Sequence, residues 1–233
     1  ITLTTPSAAA PLSLAVGSSS QDILDALRDN EDGDGRLFVT HNRGKLCYDH
    51  GIQKWFRWTG NYWEEDGSGY VYPALDPVIQ KYLDEAQRQA QARQNAAVAC
   101  NANAATKAKA LEDDLLRRVF NLQTVYRKKN VLFLAAQGNS SLGISGLEWD
   151  LDPWLLGCRN GVIDLRTGTF RSGRPEDYIK TIGPTEWKAL REPAPIWEKF
   201  LLEIFDGNEE LVAYIQRLFG YSITGLTVEH VLP

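Results

Sequence analysis

The spacing of apolar positions changes several times along the chain, and each change predicts an element. Ile23, Leu24 and Leu27 share one helical face, and Ser20 is a candidate cap for a helix over 21–28. The acidic run 30–35, NEDGDG, reads as a solvated turn leading into a strand. From 36 to 72 the runs are short and rich in aromatic and β-branched residues: Leu37-Phe38-Val39, Leu46-Cys47-Tyr48, 54–58 and Tyr62-Trp63. Gly44, Gly51, Gly60 and Gly67 punctuate them, so three or four antiparallel strands are predicted.

The helical period returns at Asp76-Pro77, a start signal followed by Val78, Ile79, Tyr82, Leu83 and Ala86. The Ala-, Gln- and Asn-rich stretch 87–109 predicts a long exposed helix that breaks near 101–103 and lacks an apolar seam for a partner. Leu111, Leu115, Val119, Leu122 and Tyr126 then predict one buried face of a second helix with a basic end. A further helix is predicted over 131–136 and a loop over 138–146.

Two turn signals divide 149–170. Asn160-Gly161 predicts a type I′ hairpin with positive φ at both residues, and Thr167-Gly168 a second turn. Val162-Ile163-Asp164-Leu165 is the strand between them, with Leu155-Leu156 and Thr169-Phe170 as partners. Pro175 and Pro184 make 174–187 irregular. Pro195 opens a helix with Ile196, Phe200, Leu201, Ile204 and Phe205 inward, and Asp206-Gly207 stops it. Asn208 caps the next, whose stripe is Leu211, Val212, Ile215, Leu218 and Phe219; together they predict an αα-hairpin. The fold class is α+β: a small antiparallel sheet, a helical segment, a short β-meander and a C-terminal helical hairpin. In line, the segments are 1–19 linker or disordered, 20–75 strand-rich, 76–146 helical, 147–190 meander and irregular, and 191–233 hairpin.

Composition narrows the class. The chain has 233 residues, a net charge of −5 and a pI of about 5.3. A dedicated nucleic-acid-binding domain shows the opposite balance, so any DNA contact is local or is made by another part of the protein. No apolar run approaches the roughly 20 residues that span a bilayer, and the first residues lack the basic start of a secretory signal. Cys47, Cys100 and Cys158 are widely spaced, which suits reduced thiols in a cytoplasmic protein. The chain contains no Met, as expected of a piece of a longer protein or a processed one.

Little catalytic chemistry is expected. Counting a calcium loop from Asn30 puts His41, not a bidentate Glu, at the twelfth position. Asp150, Asp152, Asp164 and Asp177 offer oxygen ligands that nothing gathers, and His41, His50 and His230 lack zinc spacing. There is no GxxxxGK[ST], GxSxG or dinucleotide fingerprint. No catalytic residue, metal site or cofactor is therefore assigned to these residues. Trp55, Trp58 and Trp63 have two readings: core and cross-strand packing, or stacking of single-stranded bases. Arg117, Arg118, Arg127, Lys128 and Lys129 either compensate a helix C-terminus or contact phosphate. The candidate DNA-binding set is those five cations with Trp55 and Trp58.

LDPWLLGCRNGVIDLRTGTF, 151–170, resembles the signature of the N-terminal helicase-associated region of phage and plasmid primase–helicases. These are relatives of the poxvirus primase–helicase and carry a superfamily III ATPase. GRLFVTHNRGKLCYDHGIQKWFRWTGNYWEEDGSG, 35–69, is similar to the strand-rich opening of that region. WEKFLLEIFDGNEELVAYIQRLFGYSITG, 197–225, is similar to the helix pair leading into the ATPase. The resemblance implies a parent that uses ATP and magnesium to unwind DNA during replication, assembled as a ring in the cytoplasm of a bacterial or phage-infected host. This part would be its accessory or collar domain, engaging DNA or a partner beside the motor. A stand-alone single-stranded DNA-binding or protein-interaction module is the alternative. In the family a strand such as 229–232 leads into a phosphate-binding loop, expected past Pro233, and any primase module lies upstream of Ile1. No family catalytic residue maps onto this chain.

Overall fold

The computed structural model describes residues 19–226, so the predicted linker, the strand at 229–232 and His230 fall outside the described residues, save position 19. The fold is α+β, and the chain divides into two units interleaved in sequence: residues up to 43 with 69–142, and 44–68 with the residues from 143 on.

The first unit is helical. Ser19, one residue earlier than predicted, caps α1 (Ser20–Arg28) in a capping box with Asp22. The predicted acidic turn and first strand are instead one helix, α2 (Asn30–Asn42). Its Gly33 lies so close to α1 that an added Cβ would overlap the Ala26 backbone. Asp34, Phe38 and Asn42 recur every four residues on its buried side. Asn, Asp and Gly are weak helix formers, so tertiary contacts impose this helix against local preference.

A short 3₁₀ turn precedes α3 (Asp76–Val98). The chain reverses at Cys100, with φ of 55°, and Asn101 caps α4 (Ala102–Leu122) through the Ala104 N–H at 3.0 Å. The break is where the composition placed it. The partner of α3 is α4 itself, and the seam is small: Ala86 and Ala108 are buried, and Arg93 pairs with Glu112 at 2.9 Å.

Leu115, Val119 and Leu122 make the buried face predicted for α4, but Tyr126 does not belong to it. Thr124 ends the run by capping a new helix, α5 (Val125–Ala135), its hydroxyl accepting from the Arg127 N–H. The helix predicted at 131–136 is the rest of α5.

The second unit contains two sheets. β1 (Leu46–Asp49), β2 (Lys54–Trp58) and β3 (Trp63–Glu65) form the predicted antiparallel meander. β4 (Gly143–Ile144), inside the predicted loop, pairs in parallel with β1, giving the order β3-β2-β1-β4. Cys47, Phe56, Trp63 and Trp149 are its core, with Trp58, Ile144 and Tyr178 packed against them.

β5 (Leu155–Cys158), β6 (Gly161–Asp164) and β7 (Thr169–Arg171) form the second meander. Its first turn differs from the prediction. Cys158 pairs with Gly161, so the loop is Arg159-Asn160, and neither Asn160 nor Gly161 has positive φ. Gly161 is needed for room: a Cβ would sit 2.5 Å from the Arg171 carbonyl oxygen and 2.6 Å from the Phe170 ring. Asn160 instead ties down Trp187, donating to its carbonyl at 2.7 Å and accepting its N–H at 2.9 Å.

α6 (Pro195–Ile204) and α7 (Glu209–Ser222) form the predicted hairpin, with Asn208 capping α7. Of the two predicted inner stripes only Leu201 is buried.

Candidate nucleic-acid interface

The basic run predicted on one helix end is spread over two helices. Arg117 and Arg118 lie on α4, while Arg127, Lys128 and Lys129 open α5. The cations of α5 therefore sit at a helix N-terminus, where the dipole opposes positive charge. End-charge compensation, one of the two readings of the sequence, does not account for them.

Two of the five cations point inward. Arg118 and Arg127 have side chains 10% and 11% exposed, and both grip Asp34, which is fully buried. Oδ1 of Asp34 accepts from Tyr82 Oη at 2.7 Å and Arg118 Nη1 at 2.9 Å. Oδ2 accepts from Arg127 Nε at 3.0 Å and Nη2 at 2.6 Å. Arg118 also donates to the Leu27 carbonyl at the end of α1, and both guanidiniums reach Asn30. Burial, with the Asp34 charge beside it, pushes the Tyr82 hydroxyl well above its ordinary range, so it stays a donor. Asp34 is saturated and offers no oxygen to a substrate or metal. Nothing local in NEDGDG announces this; the partners lie 48 to 93 residues away.

Of the remaining cations Arg117 and Lys129 are exposed and Lys128 is half-buried. Arg117 pairs with Asp114 one turn back, while Lys128 and Lys129 form no ion pair among the described residues. Three rings flank these lysines: Phe120 is 69% exposed, Tyr126 76% and Phe133 65%. From 115 to 147 the chain has five Lys and Arg and no Asp or Glu, within a protein that is acidic as a whole. This acid-free window with interleaved rings was the signal available for finding them.

Trp55 and Trp58 lie in the other unit. They point to opposite faces of β2, as the two-residue period requires. Trp58 is half-buried, its ring 5.4 Å from that of Trp63 on the core face. Trp55, also half-buried, lies 5.2 Å from Tyr48, its cross-strand partner. The neighbouring cations are engaged: Lys54 with Glu65 at 2.5 Å and Arg57 with Glu64 at 2.7 Å.

The carboxylates weighed as ligands already have protein partners, and two of them share Arg166. Asp150 accepts from Thr181 Oγ1 at 2.7 Å, Asp152 from Arg166 at 3.0 Å, Asp164 from the Arg166 N–H, and Asp177 from both Arg171 nitrogens. Asp49 is buried in the second unit. Burial alone would raise its pKa, but the Trp149 indole at 2.7 Å, the Ile52 and Gly51 N–H groups and Lys180 together hold it below the ordinary carboxylate value. Burial pushes the Cys47 and Cys158 thiols up, so neither is an activated nucleophile. Among the described residues no helix is long and apolar enough to cross a membrane.

The family described as D5 N terminal like matches residues 35–206. No curated protein matches the chain.

Proposed function

Because the chain belongs to the D5 N terminal like family, the N-terminal domains of D5-like primase–helicases, we propose that it is the collar domain of a phage or plasmid replication helicase. It braces a ring and engages DNA or a partner next to an ATP-dependent motor in the cytoplasm of a bacterial or phage-infected host. The observation that carries this reading is the family match over residues 35–206.

The α6–α7 hairpin supports it. Ile196, Trp197, Phe200, Ile204, Tyr214 and Phe219 are all exposed, and Trp197 stacks on Phe200 with centroids 5.6 Å apart. An exposed apolar surface of this kind marks a protein contact. The neighbouring subunit or the motor is the partner that a collar would present to it. ATP and magnesium belong to the motor. Among the described residues no three His, Cys, Asp or Glu converge, so no step of nucleotide chemistry is assigned to these side chains.

Light scattering on the 233-residue chain tests the assembly. Mass that rises with concentration toward a closed ring is expected, and a strict monomer overturns the collar reading. The same sample should release no phosphate from ATP; measurable turnover contradicts the division of labour.

A further inference from the structure

We infer that the corner between α4 and α5 is a stacking platform for single-stranded DNA, with Phe120, Tyr126 and Phe133 as the rings and Lys128 and Lys129 as the phosphate contacts. This rests on the reading that the chain works beside DNA, and it names the surface that does so.

Three observations point to a polyanion rather than to a protein. Lys128 and Lys129 stand where the dipole of α5 disfavours them, and no carboxylate among the described residues pairs with them. No acidic residue occurs between 115 and 147 to repel a phosphate backbone. The rings beside them are mostly exposed, and a ring face accepts any base.

The geometry of α5 arranges these groups. Tyr126, Lys129 and Phe133 follow at intervals of three and four residues, so they share one face. Tyr126 and Phe133 are two turns apart, about 10 Å along the axis, so they take bases that are not neighbours. Phe120 adds a ring from the last turn of α4. Arg118 holds α4, and Arg127 holds α5, against the buried Asp34, so they are positioning residues for the platform and do not touch the strand.

The test is fluorescence anisotropy of a labelled oligothymidine of about twenty nucleotides with the 233-residue chain, from about 50 to about 200 mM salt. Binding that weakens with salt is expected. Tyr126→Ala and Phe133→Ala should each weaken it about tenfold, with unchanged thermal melts because both rings are exposed. Lys129→Gln should make the slope of log K against log salt shallower by about 0.7, which a purely structural lysine would not do.

No binding at the lowest salt overturns the proposal. So does unchanged affinity in both alanine variants, or preference for a duplex or an oligouridine over the DNA strand. A dimer abolished by Tyr126→Ala, with no oligonucleotide bound, reassigns the face to a protein contact. Ring assembly is read separately by light scattering, so loss of strand binding with assembly intact rejects this platform without rejecting the collar.

Discussion

Among the described residues each unit buries one aspartate, and the two are held by different means. In the helical unit Asp34 is matched by two guanidiniums and a phenol that come from three other helices. In the sheet unit Asp49 has neutral donors at contact distance: the Trp149 indole and the two backbone N–H groups of the turn after β1. The first arrangement gathers charge from positions remote in sequence, and removing its acid leaves two nearly buried guanidiniums with Glu31, 3.4 Å from Arg127, as the remaining carboxylate beside them. The second fixes a turn beside an aromatic core, and removing its indole leaves the carboxylate with its local donors. Arginines in a basic run can thus be interior structure, whereas a tryptophan can serve as a hydrogen-bond donor as much as a packing group.

The largest expected effect follows from the first arrangement. Asp34→Ala should cost about 3 to 5 kcal/mol in urea denaturation, the range for breaking a buried ion pair from one side. A loss under about 1 kcal/mol would mean that water already reaches the cluster. Trp149→Phe keeps a ring and deletes the donor to Asp49, and should cost about 1 to 3 kcal/mol by the same measurement. An unchanged midpoint would show that the two backbone donors suffice.

Acid gives a second measure of Asp49. The folded pKa of Asp49 is depressed, so its contribution to stability is fully present above the unfolded carboxylate value of about 3.9. It is lost as pH falls through the lower folded value. Asp49→Asn should flatten that part of the acid-unfolding curve of the sheet unit, followed by tryptophan fluorescence. A curve with the wild-type slope would remove Asp49 as its source.

Much of this fold was legible from period and punctuation. The β5–β6–β7 meander, the break after α3 and the α6–α7 hairpin follow from turn residues and apolar spacing. α2 was not legible, because Leu37-Phe38-Val39 mimics a strand and the residues before it mimic a turn; what makes it helical is Asp34 meeting Arg118 and Arg127. The exposure of Tyr126 was hidden because it continues the α4 period across Thr124, and only the cap shows that the period has been broken. At Asn160-Gly161 the hairpin was right and its reason wrong, since the glycine makes room for Phe170 and the Arg171 carbonyl and does not supply a positive φ. Of the candidate site, the cations were visible as a run, but which of them were committed inward depended on an aspartate more than 80 residues away.

The central claim is that one basic run divides between an interior lock and a free face, and one residue from each side tests it. Urea midpoints of Arg127→Ala and Lys129→Ala should differ sharply: a loss of about 3 to 5 kcal/mol for the first and within about 0.5 kcal/mol for the second. Equal losses, or a larger one at Lys129, would contradict the account.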